Sequence, residues 1–219
     1  MSHDDHKPNY IAVEGVIGAG KTSFAQLLAE RLEAELIAEE VFENPFLVDF
    51  YKQRKRYAFS CQLFFLLSRF QQQQQLMVRD LFAQRIVADY LFAKDAIFAS
   101  VNLSARELAL YDKIAPILSR DVPKPDLAIY LQASTPVLMQ RIRKRNYPFE
   151  KVIGPDYIEV LNKAYDYYFF HYTETPLLVV KTDEIDFVEN PKHFDDLIER
   201  IAKPMTGKKY YVPAGNVVL

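Results

Sequence analysis

Apolar residues recur along this chain in two alternating rhythms. Short unbroken apolar stretches within Asn9–Glu14, Leu36–Ala38, Arg85–Ala88, Leu127–Leu131 and Leu177–Val180 read as buried strands. Between them lie stretches with helical spacing. Lys21–Leu32 puts Phe24, Leu27, Leu28 and Leu32 along one side. Tyr57–Phe82 has no Gly or Pro and reads as one long helix, with Gln71–Gln75 as a solvated face. Asn44-Pro45 can open another helix, since Asn caps and Pro fits a first turn. Ser104–Leu118 begins with a possible capping box, Ser104 and Glu107. Thr135 to about Lys144, Asp156–His171 and Pro191–Ala202 complete the helical set.

Strands alternating with helices predict a doubly wound, five-stranded parallel sheet covered on both faces. No repeat or linker divides the chain, so residues 9–203 are expected to form a single domain. Residues 1–8 are polar and expected to be flexible. Residues 204–219 are expected to be a loose tail, although Val217-Val-Leu219 at its end is apolar.

Composition narrows the classes. Of 219 residues 50% are hydrophobic, enough for a sizeable core. The formal charge of -2 gives no basic excess to argue for a nucleic-acid polymer. The lone cysteine, Cys61, excludes an internal disulfide framework and suggests a reducing compartment. The first ten residues lack the apolar core of a signal peptide. No apolar run approaches the roughly 20 residues that span a bilayer, so a soluble cytoplasmic protein without a membrane partner is expected.

The first strand runs into Gly15-Val-Ile-Gly-Ala-Gly-Lys-Thr22, which fits G-x-x-x-x-G-K-[ST], followed by Ser23. Gly15, Gly18 and Gly20 let successive backbone N–H groups, Ala19 included, face an anion, and the next helix adds its positive end. Lys21 would meet the β- and γ-phosphates, and the Thr22 hydroxyl would help hold Mg²⁺. Strand, loop and helix in that order predict a P-loop NTPase-type fold. No N-K-x-D segment is present to read guanine, so ATP is the expected nucleotide.

Beyond the loop come Glu39-Glu-Val-Phe-Glu-Asn-Pro-Phe46, Phe50-Tyr51, Phe59-Ser-Cys-Gln62, Leu67-Ser-Arg69 and Asp95. In this order they resemble the deoxynucleoside kinase family, in particular its bacterial deoxyadenosine and deoxyguanosine kinase branch, from Asn9 to about Ile201. The resemblance implies ATP-dependent phosphorylation of a deoxynucleoside to its 5′-monophosphate in nucleotide salvage. Deoxyadenosine or deoxyguanosine is the implied acceptor, with deoxycytidine as a further candidate. It also implies a homodimer through the helices Tyr57–Phe82 and Ser104–Leu118.

The same resemblance implies roles. Glu39 would accept the proton of the sugar 5′-hydroxyl; without the family pattern it reads as a solvated loop acid. Tyr51 and Glu150 would hold the 3′-hydroxyl. Gln62 would pair with the base, its amide offering donors and an acceptor. Arg69 and Asp95 would form a pair beside the base, or else a structural salt bridge. Asp89 would support Mg²⁺. A small helical lid over residues 141–153 would bring Arg141 and Arg145 onto the phosphates. Asp186 and Phe187 would belong to a loop around the adenine. Glu40 stands where the family usually has Pro, which leaves Glu40 as an alternative base to Glu39, and Tyr90 and Tyr147 stand where arginines are usual. The two tyrosines keep open a non-catalytic nucleotide-binding relative; a nucleoside monophosphate kinase of related fold, with Arg69 meeting the acceptor's own phosphate, is a separate alternative.

Overall fold

The computed structural model describes residues 8–79, 85–185, 187 and 191–212, with side chains left out at 76–79 and 191. Its strands are β1 (Tyr10–Gly15), β2 (Glu35–Ile37), β3 (Ile86–Ala88), β4 (Leu127–Gln132), β5 (Leu177–Lys181) and β6 (Lys208–Tyr211). Its helices are α1 (Lys21–Leu32), α2 (Leu47–Lys52), α3 (Arg54–Arg79), α4 (Lys94–Asn102), α5 (Ala105–Ser119), α6 (Thr135–Arg145), α7 (Pro155–His171) and α8 (Pro191–Ile201).

The strands form one sheet in the order β2-β3-β1-β4-β5-β6, and every pairing is parallel. The sheet has six strands rather than the expected five. The sixth comes from the stretch read as a tail: Lys208–Tyr211 pairs with Leu177–Val180. Its register rests on β5 alone, which a four-residue stretch with two lysines does not advertise.

β1 lies between β3 and β4, so the chain first winds to one side of it and then to the other. Ligands in such sheets bind outside the carboxyl ends of the strands, at this reversal. On one face α1 and α8 pack through Phe24, whose ring lies 5.7 Å from Phe194 and 4.8 Å from Phe187. On the other, Tyr130 of β4 stacks on Phe169 of α7 at 4.2 Å. Glu14, wholly buried near the end of β1, ties the sheet to α7 and to the segment after β3. Its Oε1 accepts from the Gly15 N–H and the Tyr165 hydroxyl, and its Oε2 accepts from the Leu91 N–H.

The capping box forms as expected: Ser104 accepts from the Glu107 N–H, and Glu107 accepts from the Ser104 N–H. α4, which the apolar pattern did not suggest, occupies Lys94–Asn102 and packs against α3 and α7. The glutamine run is not a uniformly wet face. Gln73 is fully buried, and Gln72 and Gln73 bond the Tyr90 hydroxyl while Gln73 also reaches Tyr10.

Candidate active site

Two cavities meet at the carboxyl end of β1. The first, about 420 Å³, is floored by the glycine loop and roofed by α6. Gly18, Ala19, Gly20, Lys21, Thr22, Ser23, Arg141, Arg145 and Phe187 all border it. The loop needs its glycines. Gly18 has φ +87°, and a Cβ there would come within 2.7 Å of the Leu138 carbonyl. Gly20 caps α1 at φ +92°, a left-handed conformation that L side chains rarely adopt.

Lys21 folds back onto its own loop, donating to the Gly15 carbonyl at 2.7 Å and the Val16 carbonyl at 3.2 Å. Burial, and next the nearby Lys94 ammonium, push its pKa down to about 8 against the pull of Glu14, Glu39 and Asp89. Thr22 Oγ1 donates to Asp89 Oδ2 at 2.9 Å, and Asp89 Oδ1 accepts the Glu39 N–H at 2.7 Å. Among the described residues no three His, Cys, Asp or Glu side chains cluster in a metal-binding group. Mg²⁺ does not need one, because substrate phosphates and water supply most of its shell. The Thr22–Asp89 oxygen pair beside the loop fits such an ion.

The second cavity, about 180 Å³, lies between β2, α2, α3, α4 and the segment after α6. Glu39, Tyr51, Gln62, Arg69 and Glu150 border it, together with Lys21, Thr22, Asp89 and Arg145. Residues separated by more than 100 positions therefore enclose one hollow. Glu40, the other acid of the Glu39-Glu pair, is exposed and borders neither cavity.

Glu39 is held by two cations. Arg69 donates to Oε1 through Nε at 3.0 Å and Nη2 at 2.5 Å, and Lys94 donates to Oε2 at 2.5 Å. Burial alone would raise the Glu39 carboxyl, but Lys94 and Arg69 outweigh it and hold the group well below the usual carboxylate range. Arg69 also donates through Nη1 to Asp95 Oδ2 at 2.9 Å, so one buried guanidinium bridges two acids. Asp95 lies behind the cavity wall. Burial lifts its pKa to about 6 despite the opposing Arg69 and Gln62.

Gln62 directs its amide N–H groups to the Asp95 carbonyl, at 2.8 Å, and to Asp95 Oδ1. The amide N–H groups of Gln62, expected to face the base, are thus met by Asp95. Arg145 grips Glu150 with Nε and Nη2 and stacks over Tyr147 at 4.8 Å. Tyr51 stacks on Phe149 at 5.8 Å, so aromatic rings close this side of the cavity. Arg141 instead donates to Thr182 Oγ1 at 3.0 Å and to the Ile185 carbonyl at 3.1 Å, tying α6 to the loop after β5. Asp186 lies outside the described residues. Tyr90 is fully buried and turned toward Gln72 and Gln73, away from both cavities.

Sequence reasoning missed Lys94, Phe65, Phe98, Asn102 and Phe149 as lining residues. Three of them, Lys94, Phe98 and Asn102, lie on α4, the helix the apolar pattern left out. Their spacing of four residues would have placed them on one face.

The sequence model of one family, described as deoxynucleoside kinase, matches residues 11–206. The chain belongs to the deoxynucleoside kinase family. It is 40% identical over 198 residues to a deoxyguanosine kinase of Bacillus subtilis, covering 88% of this chain and 94% of that one. It is 31% identical over 205 residues to a deoxyadenosine kinase of Lactobacillus acidophilus, covering 87% of this chain and 94% of that one. Among solved structures, deoxyadenosine kinase from M. mycoides with bound dCTP matches with a TM-score of 0.75 at 29% identity, covering 87% of this chain and 99% of that one. The same enzyme with bound dATP matches with a TM-score of 0.76 at 28% identity, covering 87% and 98%. This chain is therefore a phosphotransferase acting on deoxynucleosides. Among the described residues no helix is long and apolar enough to cross a membrane.

Proposed function

We propose that this deoxynucleoside kinase transfers the γ-phosphoryl group of ATP to the 5′-hydroxyl of deoxyguanosine or deoxyadenosine. One observation carries the reading. Glu39 borders the same cavity as Lys21 and Thr22, whose loop also floors the larger cavity. A hydroxyl placed between them has a proton acceptor on one side and a phosphate cradle on the other. The relatives named for deoxyguanosine and deoxyadenosine support a purine acceptor. Deoxycytidine remains a candidate, since one relative is named deoxyadenosine/deoxycytidine kinase.

In this reading the backbone N–H groups of residues 15–23 and Lys21 hold the triphosphate. Thr22 and Asp89 would hold Mg²⁺, which offsets phosphate charge when bound. Tyr51 and Glu150 take the 3′-hydroxyl, and Gln62 and Arg69 face the base, with Asp95 holding both from behind the cavity wall. Arg145, which borders both cavities, reaches toward the phosphates, and Phe187 borders the nucleotide side. Arg141 positions the lid through the loop after β5. The hydroxyl oxygen attacks the γ-phosphorus, the bond to the bridging oxygen breaks toward ADP, and the hydroxyl proton passes to Glu39. Closure over residues 141–153 excludes water as a competing acceptor.

The test is an acceptor screen with ATP and Mg²⁺ against the four deoxynucleosides and their monophosphates. A purine deoxynucleoside should be converted, and Glu39→Gln should lower kcat by roughly a hundredfold or more while nucleoside binding persists. Normal turnover in Glu39→Gln, or conversion of monophosphates only, overturns the reading. Three of the five Arg69 donors are committed to Glu39 and Asp95, whose two carboxylates disfavour a phosphate beside them and favour an unphosphorylated acceptor. A homodimer through α3 and α5 belongs to the same proposal, with Leu67, Leu110 and Ile117 exposed on those helices. A single-chain mass by sedimentation equilibrium would rule it out. A cytoplasmic location, checked by cell fractionation, fits the free, buried Cys61.

A further inference from the structure

A second ammonium borders the reaction cavity, and neither the phosphate loop nor the base-facing set calls for it. Lys94 opens α4, and its side chain is only 7% exposed. It borders the cavity beside Lys21, Thr22 and Asp89, with its Nζ on Glu39 Oε2. Burying a lysine ammonium is costly. Glu39 already has a buried cation in Arg69, so pairing alone does not demand another.

The donors around Glu39 give Lys94 a direction. A carboxylate offers about four lone-pair sites, two on each oxygen. Oε1 receives two donors, both from Arg69. Among the described residues Oε2 receives one, from Lys94. The free site is therefore on Oε2, beside the ammonium. Any hydroxyl that hands its proton to Glu39 meets Lys94 as it does so. Tyr90, four residues earlier, cannot serve, because its hydroxyl is held by Gln72 and Gln73.

We infer that Lys94 is a catalytic cation on the acceptor side of phosphoryl transfer, aiming the open lone pair of Glu39 at the hydroxyl and meeting the charge on the transferring group. The inference rests on the reading of Glu39 given under Proposed function. As the new oxygen–phosphorus bond forms, the bond from the γ-phosphorus to the bridging oxygen breaks and its electron pair leaves with ADP. The hydroxyl proton goes to Glu39 Oε2, and Lys94 keeps all its protons. The ammonium thus stands in the reaction cavity, near enough to Lys21 for the two charges to act on one another.

The test compares wild type, Lys94→Met and Lys94→Ala in steady-state kinetics from pH 5 to 9, with thermal midpoints as a folding control. Lys94→Met should lower kcat about a hundredfold or more, the scale of losing one preorganised charge-stabilising donor. The KM for the deoxynucleoside should stay within about threefold, because Lys94 is assigned to the transition state rather than to ground-state binding. Added propylammonium should restore Lys94→Ala at least about tenfold, which a purely structural role would not allow. A folded Lys94→Met variant with wild-type kcat overturns the assignment, as does a folded Lys94→Ala that amines do not rescue. If the wild type itself turns over no deoxynucleoside, the reading of Glu39 fails with it, and the two failures are thereby distinguished.

Discussion

Replacing Arg69 with Met removes the guanidinium that bridges Glu39 and Asp95 while keeping a long apolar stem. The cost should depend on pH in a way the geometry fixes. Asp95 is 1% exposed, and burial lifts its pKa from 3.8 to about 6 even with Arg69 beside it. A carboxyl whose folded pKa is raised contributes stability below its unfolded value and loses it as pH climbs through its folded value. Above pH 6 the wild type therefore bears about 3 kcal/mol for keeping Asp95 ionised. Without Arg69 nothing but Gln62 offsets burial, and Asp95 stays protonated at pH 7. Full protonation at pH 7 costs about 4 kcal/mol relative to the unfolded chain. The difference, about 1 kcal/mol, appears at pH 7 and vanishes near pH 5, where the wild-type group is already mostly neutral. Beneath it lies a pH-independent loss of roughly 2 kcal/mol for the bonds to Glu39, which stays ionised beside Lys94. Urea unfolding of both proteins at pH 5 and pH 7 reads the difference. An equal cost at both pH values, or a larger one at pH 5, refutes the reasoning.

Two further outcomes follow from the same geometry. The free Lys21 ammonium titrates near 8, and phosphate oxygens beside it raise that value, so ATP binding at pH 8.5 should take up part of a proton. Calorimetry in two buffers of different ionisation enthalpy detects this, and enthalpies that do not depend on the buffer would disprove it. Tyr90→Phe should destabilise the fold by about 1 kcal/mol through the lost bonds to Gln72 and Gln73, yet leave kcat unchanged. A tenfold fall in kcat with an unchanged thermal midpoint would mean that the Tyr90 hydroxyl acts in the reaction.

Legibility in the sequence followed the range of the interactions involved. The bounds of Lys21–Leu32 agree at both ends, because a glycine loop and a periodic apolar stripe are local signals. Ser104 and Glu107 capped their helix as spacing alone implied. α4 escaped because its nine residues mix Lys94 and Asp95 with apolar positions, and both charges are buried only through partners on distant segments. The glutamine run misled for a similar reason: Gln73 is dry because Tyr10 and Tyr90 meet it. At the site, the positions of Glu39, Tyr51, Gln62, Arg69 and Glu150 around one hollow matched the order of motifs along the chain. The Arg69–Asp95 pair formed as implied, but the hold of Arg69 and Lys94 on Glu39 was not legible, since they lie 30 and 55 residues from it.

The match to the family stops at residue 206, and β6 begins at Lys208. A domain boundary drawn from that match would strip the outer strand and leave the rim of β5 with bare amide and carbonyl groups. Such a rim invites pairing with other chains. Shortened versions of this protein should therefore be cut beyond Tyr211, or they will clump for reasons unrelated to the reaction cavity.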